Sequence, residues 1–64
     1  MNYEIIIHYE SHFCIYNESK HCHTMDDATR TFRYYVGRPN VTVVLLFKNM
    51  LLIKEWHKGG INNE

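Results

Sequence analysis

Histidine and cysteine side chains crowd one segment of the chain and raise the question of metal binding. Four of the five histidines and both cysteines fall between residues 8 and 23. Imidazole and thiolate are ligands that zinc prefers, and a structural zinc would stabilise so small a fold. The spacing matches no recognised zinc motif, because no Cys-x-x-Cys occurs and neighbours on a strand point to opposite faces. We therefore expect no metal and no other cofactor. A zinc-stabilised module is kept as an alternative, with these candidate ligands: Cys14, His21, Cys22 and His23.

The same residues do not make a convincing catalytic site. Cys22 lies between His21 and His23, and adjacent residues rarely reach the geometry in which an imidazole activates a thiolate. No acidic or amide residue is evidently placed to orient such a base. The glycines at 59 and 60 precede no predicted helix and so form no phosphate-binding loop. The sequence predicts a protein without enzymatic activity.

The charged residues balance over the whole chain but not along it. Seven basic and seven acidic side chains give a formal net charge of zero. Residues 1–29 hold one lysine and five acidic residues, a net charge of −4, and residues 30–64 hold six basic and two acidic residues, a net charge of +4. A neutral chain attracts phosphate weakly, so nucleic-acid binding is not expected. The alternative is a small nucleic-acid-binding regulator that uses the helix edge over residues 30–38, where arginines lie beside an aromatic residue.

Local patterns predict five elements in the order β-β-α-β-β. Runs rich in β-branched and aromatic residues predict strands over residues 3–9, 12–16, 41–47 and 50–56, with turns at 17–20 and at Lys48-Asn49. We expect an α+β fold, a four-stranded antiparallel sheet with one helix packed on one face. The second hairpin can lie beside either the first or the second strand. The predicted domain spans residues 1–58, and residues 59–64 are expected to form a flexible tail.

The helix has the clearest boundaries. Thr24 can cap its first turn, and the following acidic residues suit the positive end of the helix dipole. Gly37 and Pro39 end a helix that begins at Met25 and runs to about residue 36. Asp26 and Arg30 are expected to pair across one turn. The predicted packing face consists of Met25, Ala28, Thr29, Phe32, Tyr35 and Val36.

The hairpin over residues 41–56 carries apolar residues on both of its faces. A strand with one buried face alternates apolar and polar residues, and this segment does so poorly. One helix covers one face, and an uncovered apolar face usually marks an interaction site. We assign this uncovered face to Val44, Leu46, Leu51 and Ile53, a set that Ile6 can join, and the interface anchors to Leu46, Leu51, Ile53 and Trp56. A second, polar surface is assigned to Tyr34, Arg30 and Arg33.

These observations predict a non-catalytic module that binds another protein, with a homodimer through the apolar sheet face as the expected form. In size and element order the chain resembles the small, enzyme-free proteins that bacteriophages and other mobile elements use to block host machinery. That resemblance implies an inhibitor that acts by steric blocking of a host protein, and it assigns no residue roles. No basic segment precedes the short apolar run at residues 5–7, and no stretch is long enough to cross a membrane. We expect a cytoplasmic protein with no membrane partner.

Overall fold

Four strands and one helix follow one another in the order β-β-α-β-β within residues 2–59, the part of the chain that this computed structural model describes. The predicted α+β fold is confirmed. The tail predicted over residues 59–64 lies outside the described residues, apart from Gly59. The elements are β1 (Tyr3–Glu10), β2 (Ile15–Cys22), α1 (Met25–Tyr35), β3 (Val41–Lys48) and β4 (Leu51–His57).

The four strands form one antiparallel sheet in the order β2-β1-β3-β4. The second hairpin therefore lies beside the first strand, which settles the alternative that the sequence leaves open. β1 and β3 are the central strands, and Ile5 pairs with Lys20 on one side and with Leu46 on the other. β2 and β4 are the edge strands.

The second strand lies later in the chain than the sequence predicts. Residues 11–14 form the connection, and the predicted turn at 17–20 is the middle of β2. The hydroxyl of Ser11 accepts the backbone N–H groups of Phe13 and Cys14, each at 3.3 Å, which closes a tight turn. The polar residues of β2 are compatible with a strand because they lie at the sheet edge, where they bond to side chains of β1.

The helix begins as predicted. The Asp27 N–H donates to the Thr24 hydroxyl at 3.2 Å, and Asp26 and Asp27 occupy the first turn. Gly37 follows the helix with a φ of +83°, a value that favours glycine. The predicted pair between Asp26 and Arg30 is wrong, because Arg30 lies 3.5 Å from Asp27 instead, at i,i+3 on the exposed side.

The core lies between α1 and one face of the sheet. Ala28 and Phe32 are the buried helix residues, Tyr35 and Val36 pack against them in part, and Met25 of the predicted packing face is exposed. Alternate residues of β1 point to the helix because strand side chains alternate in direction. The buried residues are Tyr3, Ile5, Ile7, Ala28, Phe32, Val41, Val44 and Leu46.

The prediction that Val44 and Leu46 lie on the uncovered sheet face is wrong. Both side chains are 0% exposed and pack beneath the helix. The cause is the pairing with β1, since Leu46 pairs with Ile5 and Val44 with Ile7, and directly opposed residues share a face. Alternation along β3 defines two sets of residues but does not say which set the helix covers.

The β3–β4 turn stores backbone strain in Met50. The turn consists of Asn49 and Met50, one residue later than predicted, with φ values of 50° and 71°. Two positive φ values match the tight hairpin turn that prefers Asn-Gly, and a methionine at the second position is unfavourable.

We expect Met50→Gly to raise the free energy of unfolding by about 0.5–1 kcal/mol, because the strain outweighs the extra freedom of glycine in the unfolded chain. The Met50 side chain is 93% exposed, so its removal costs no packing. Urea denaturation of the two proteins measures the difference. Asn49→Gly is the matched control and should gain less, since asparagine tolerates this conformation. An unchanged or lower stability of Met50→Gly would contradict the prediction.

Candidate interaction face

One face of the sheet has no helix over it, and we call it the open face. The helix packs on the face that carries Ile5 and Ile7, so the alternating residues of each strand point the other way. The open face therefore presents Glu4, Ile6, His8 and Glu10 from β1; Ile15, Asn17, Ser19 and His21 from β2; Val43, Leu45 and Phe47 from β3; and Leu52, Glu55 and His57 from β4.

Five apolar side chains meet in the middle of the open face and form what we call the apolar stripe. Ile6 pairs with Leu45 across β1 and β3, and Phe47 pairs with Leu52 across β3 and β4. No other element within residues 2–59 covers them, although neighbouring side chains shield most of them in part. The stripe consists of Ile6, Val43, Leu45, Phe47 and Leu52.

Carboxylates, imidazoles and small polar groups surround the apolar stripe. Glu4 accepts a hydrogen bond from Ser19 at 2.9 Å, and its carboxylate lies 3.8 Å from the ring of His21. The ring nitrogen Nδ1 of His8 lies 2.6 Å from the Asn17 side-chain oxygen. The arrangement is an apolar centre with a polar rim, which is the anatomy of a protein interface.

The outer edge of the rim lies on β4. His57 and Glu55 are 2.9 Å apart there, between ring nitrogen Nε2 and carboxylate oxygen Oε1. No lysine or arginine lies on the open face among the strand residues that the structure describes. The charge of this face therefore depends on carboxylates and imidazoles.

Two of the three predicted anchors on β4 lie on the helix side of the sheet, and the third is the extra residue of a bulge. Leu51 is 70% exposed and pairs with Lys48, on the side of the sheet where the helix lies. Ile53 is the extra residue of a bulge, since Leu46 pairs with Lys54 and Phe47 with Leu52. Trp56, predicted as an interface anchor, pairs with Val44 and packs in part against the core.

The predicted polar surface lies on α1, on the opposite side of the molecule from the open face. Arg30 and Arg33 are exposed, and the Arg38 guanidinium stacks 4.5 Å from the centre of the Tyr34 ring. Tyr34 also meets Tyr35 edge-on, with ring centres 5.0 Å apart. One face of the Tyr34 ring is thus already occupied by a cation, which leaves less room for the base stacking that the nucleic-acid alternative needs.

The structure separates the two cysteines of the zinc alternative. Cys14 is exposed before β2, and Cys22 ends that strand with its thiol 3.7 Å from the Thr31 hydroxyl. Eight residues of extended strand span on the order of 25 Å, so the two thiols cannot bind one ion. Within residues 2–59, no group of three histidine, cysteine or acidic side chains is close enough to hold a metal.

A second polar cluster links β1 and β2 on the helix side of the sheet. The Tyr9 hydroxyl donates to Glu18 at 2.8 Å, and Lys20 lies 3.2 Å from the same carboxylate. These two contacts lower the pKa of Glu18, the bond from Tyr9 contributing most. Burial and the bond to Glu18 raise the pKa of the Tyr9 hydroxyl, which therefore stays protonated as a donor. The rings of Tyr9 and Tyr16 also stack, with their centres 4.6 Å apart, so this cluster stabilises the pairing of β1 with β2.

No protein-family model matches the chain, and no curated protein or solved structure is significantly similar to it. In the part of the chain that the structure describes, no helix has the length and apolar character needed to cross a membrane. The open face, with its apolar stripe and polar rim, is therefore the feature from which a function can be argued.

Proposed function

We propose that the protein is a non-catalytic protein-binding module that forms a homodimer through its open face. The observation that supports this proposal is the apolar stripe, which is continuous over β1, β3 and β4 and has no cover within residues 2–59. Contiguous apolar surface with a polar rim marks interaction sites in globular proteins. Two such faces can pack about 10 Å apart as the layers of a sandwich.

The spacing of Glu4 and His8 on β1 favours a second copy as the occupant of the open face. Such packing is symmetric if a two-fold axis lies between the two sheets and runs across the strands at Ile6 and Leu45. This axis sets β1 antiparallel to β1 of the second copy. Glu4 then faces the second copy's His8, and the same pair forms again on the other side of the axis, because these residues are equally spaced about Ile6. Leu45 meets its own copy, so the apolar stripe is buried.

The sheet edges are less suited to association than the open face. β2 carries Glu18 and Lys20 along its length, and charged residues discourage the addition of another strand. β4 carries a bulge at Ile53 followed by Lys54, which bends its edge away from regular pairing. Packing through the open face avoids both obstacles.

The homodimer leaves α1 free, including Arg30, Arg33 and Tyr34, as a surface for a foreign protein. Steric blocking of such a partner is the mode of action that we propose, in line with the size and element order that the chain shares with small inhibitors of mobile elements. The free cysteines Cys14 and Cys22 are compatible with the reducing cytoplasm, where we place the protein.

The test is the oligomeric state of a variant with a charge in the apolar stripe. We expect the wild-type protein to sediment as a dimer at micromolar concentration and Leu45→Lys to dissociate at least about 30-fold more readily, as for a central interface anchor. Circular dichroism should show the same fold for both proteins. Leu51→Lys is the matched control, since Leu51 is exposed but points to the other side, and it should dimerise like the wild type. A monomeric wild type, or a dimeric Leu45→Lys, would refute the proposal.

A further inference from the structure

The open face carries equal numbers of carboxylates and imidazoles, and from this balance we infer that proton uptake by its histidines strengthens the association of the two copies. The inference rests on the proposed homodimer and concerns its regulation. The groups are Glu4, Glu10 and Glu55 with His8, His21 and His57.

The balance makes the charge of the face depend on pH in a simple way. With neutral imidazoles the three carboxylates give each open face a charge of −3, and two such faces repel one another. Histidine is the side chain that normally changes charge between about pH 5 and pH 8. With all three imidazoles protonated, the face is electrically balanced, and the repulsion between the two copies is removed.

Each histidine of the open face has a carboxylate near it. His8 lies beside Asn17 on β2 and between Ile6 and Glu10 on β1, and Val43 faces it from β3. His21 faces Glu4 at 3.8 Å.

His57 faces Glu55 at 2.9 Å, and its nearest cationic neighbour along the chain is the exposed Lys58. His12 and His23 lie outside the strands and so outside the open face. The carboxylates therefore dominate the surroundings of the three imidazoles on this face.

The two-fold arrangement gives protonation a direct effect on the contact. Protonated His8 meets the second copy's Glu4, so the dimer holds this proton more strongly than the monomer does. The same axis brings Glu55 towards Glu55 of the second copy, and protonation of the adjacent His57 offsets that approach. Because the dimer binds more protons, its association constant rises as the pH falls towards about 6. Below about pH 4, protonation of the carboxylates leaves the faces positively charged and reverses the trend.

Sedimentation equilibrium of the full chain at pH 8, 7 and 6, at constant ionic strength, tests the inference. We expect the association constant to be at least about fivefold larger at pH 6 than at pH 8. His8→Gln should lower this ratio, and the triple variant His8→Gln, His21→Gln, His57→Gln should bring it close to one, whereas His12→Gln, outside the open face, should keep the wild-type ratio. A dimer whose affinity is constant or falls between pH 8 and pH 6 would overturn the inference and leave the homodimer standing. A monomer at every pH would overturn the homodimer and the inference with it.

Discussion

Leu46→Lys is expected to unfold the protein. Leu46 is fully buried beneath α1 and pairs with Ile5 in the middle of the sheet. Burial of an unpaired ammonium group costs several kcal/mol or more, and a chain of this length has a total stability of only about 3–10 kcal/mol. The milder Leu46→Ala should lower the free energy of unfolding by about 2–5 kcal/mol through the lost contacts and the cavity. Circular dichroism for the lysine variant and urea denaturation for the alanine variant measure these effects.

The neighbouring residue provides the control for this prediction. Leu45 is adjacent in the chain and has the same side chain, but it points to the open face opposite Ile6. Leu45→Lys should therefore stay folded and affect association, while Leu46→Lys should lose the fold. A folded Leu46→Lys that fails to associate would contradict this prediction. It would place Leu46 on the uncovered face, as the sequence analysis predicts, and Leu45 on the core face.

The elements that depend on local chemistry could be predicted from the sequence. Thr24 followed by two acidic residues sets the start of α1, and Gly37 sets its end, because caps act within one turn of the chain. β2 could not be placed by the same means. Its polar residues Asn17 and Ser19 are compatible with a strand only because His8 and Glu4 on β1 bond to them, and such partners depend on pairing between distant residues.

The sequence also does not show which face of the β3–β4 hairpin is the core. The sequence defines the alternating set Val43, Leu45 and Phe47 and the set Val44 and Leu46, but both are apolar and either can be the core. The register with β1 decides between them, since Phe47 pairs with Glu4, whose carboxylate points away from the core. Bulges at Thr42 and Ile53 then reverse the sheet face to which the side chains beyond them point. No local sequence pattern predicts these bulges.

The second large effect is expected for Phe32, the residue that holds the helix on the sheet. Ala28 and Phe32 are the buried residues of α1, and Phe32 supplies nearly all of their apolar area. Lys54 extends over its ring, 5.6 Å from the centre, and so helps to shield it at the side of β4, where the helix makes little contact.

Phe32→Ala should lower the free energy of unfolding by about 3–5 kcal/mol, because it removes the main anchor of a helix that covers one of two apolar sheet faces. Urea denaturation followed by circular dichroism measures the loss. Tyr34→Ala is the control on the same helix. Tyr34 is largely exposed, and its removal forfeits the stacking of Arg38, a cost of under about 1 kcal/mol. Similar losses for the two variants would contradict this account, in which Phe32 is the main anchor of α1 on the sheet.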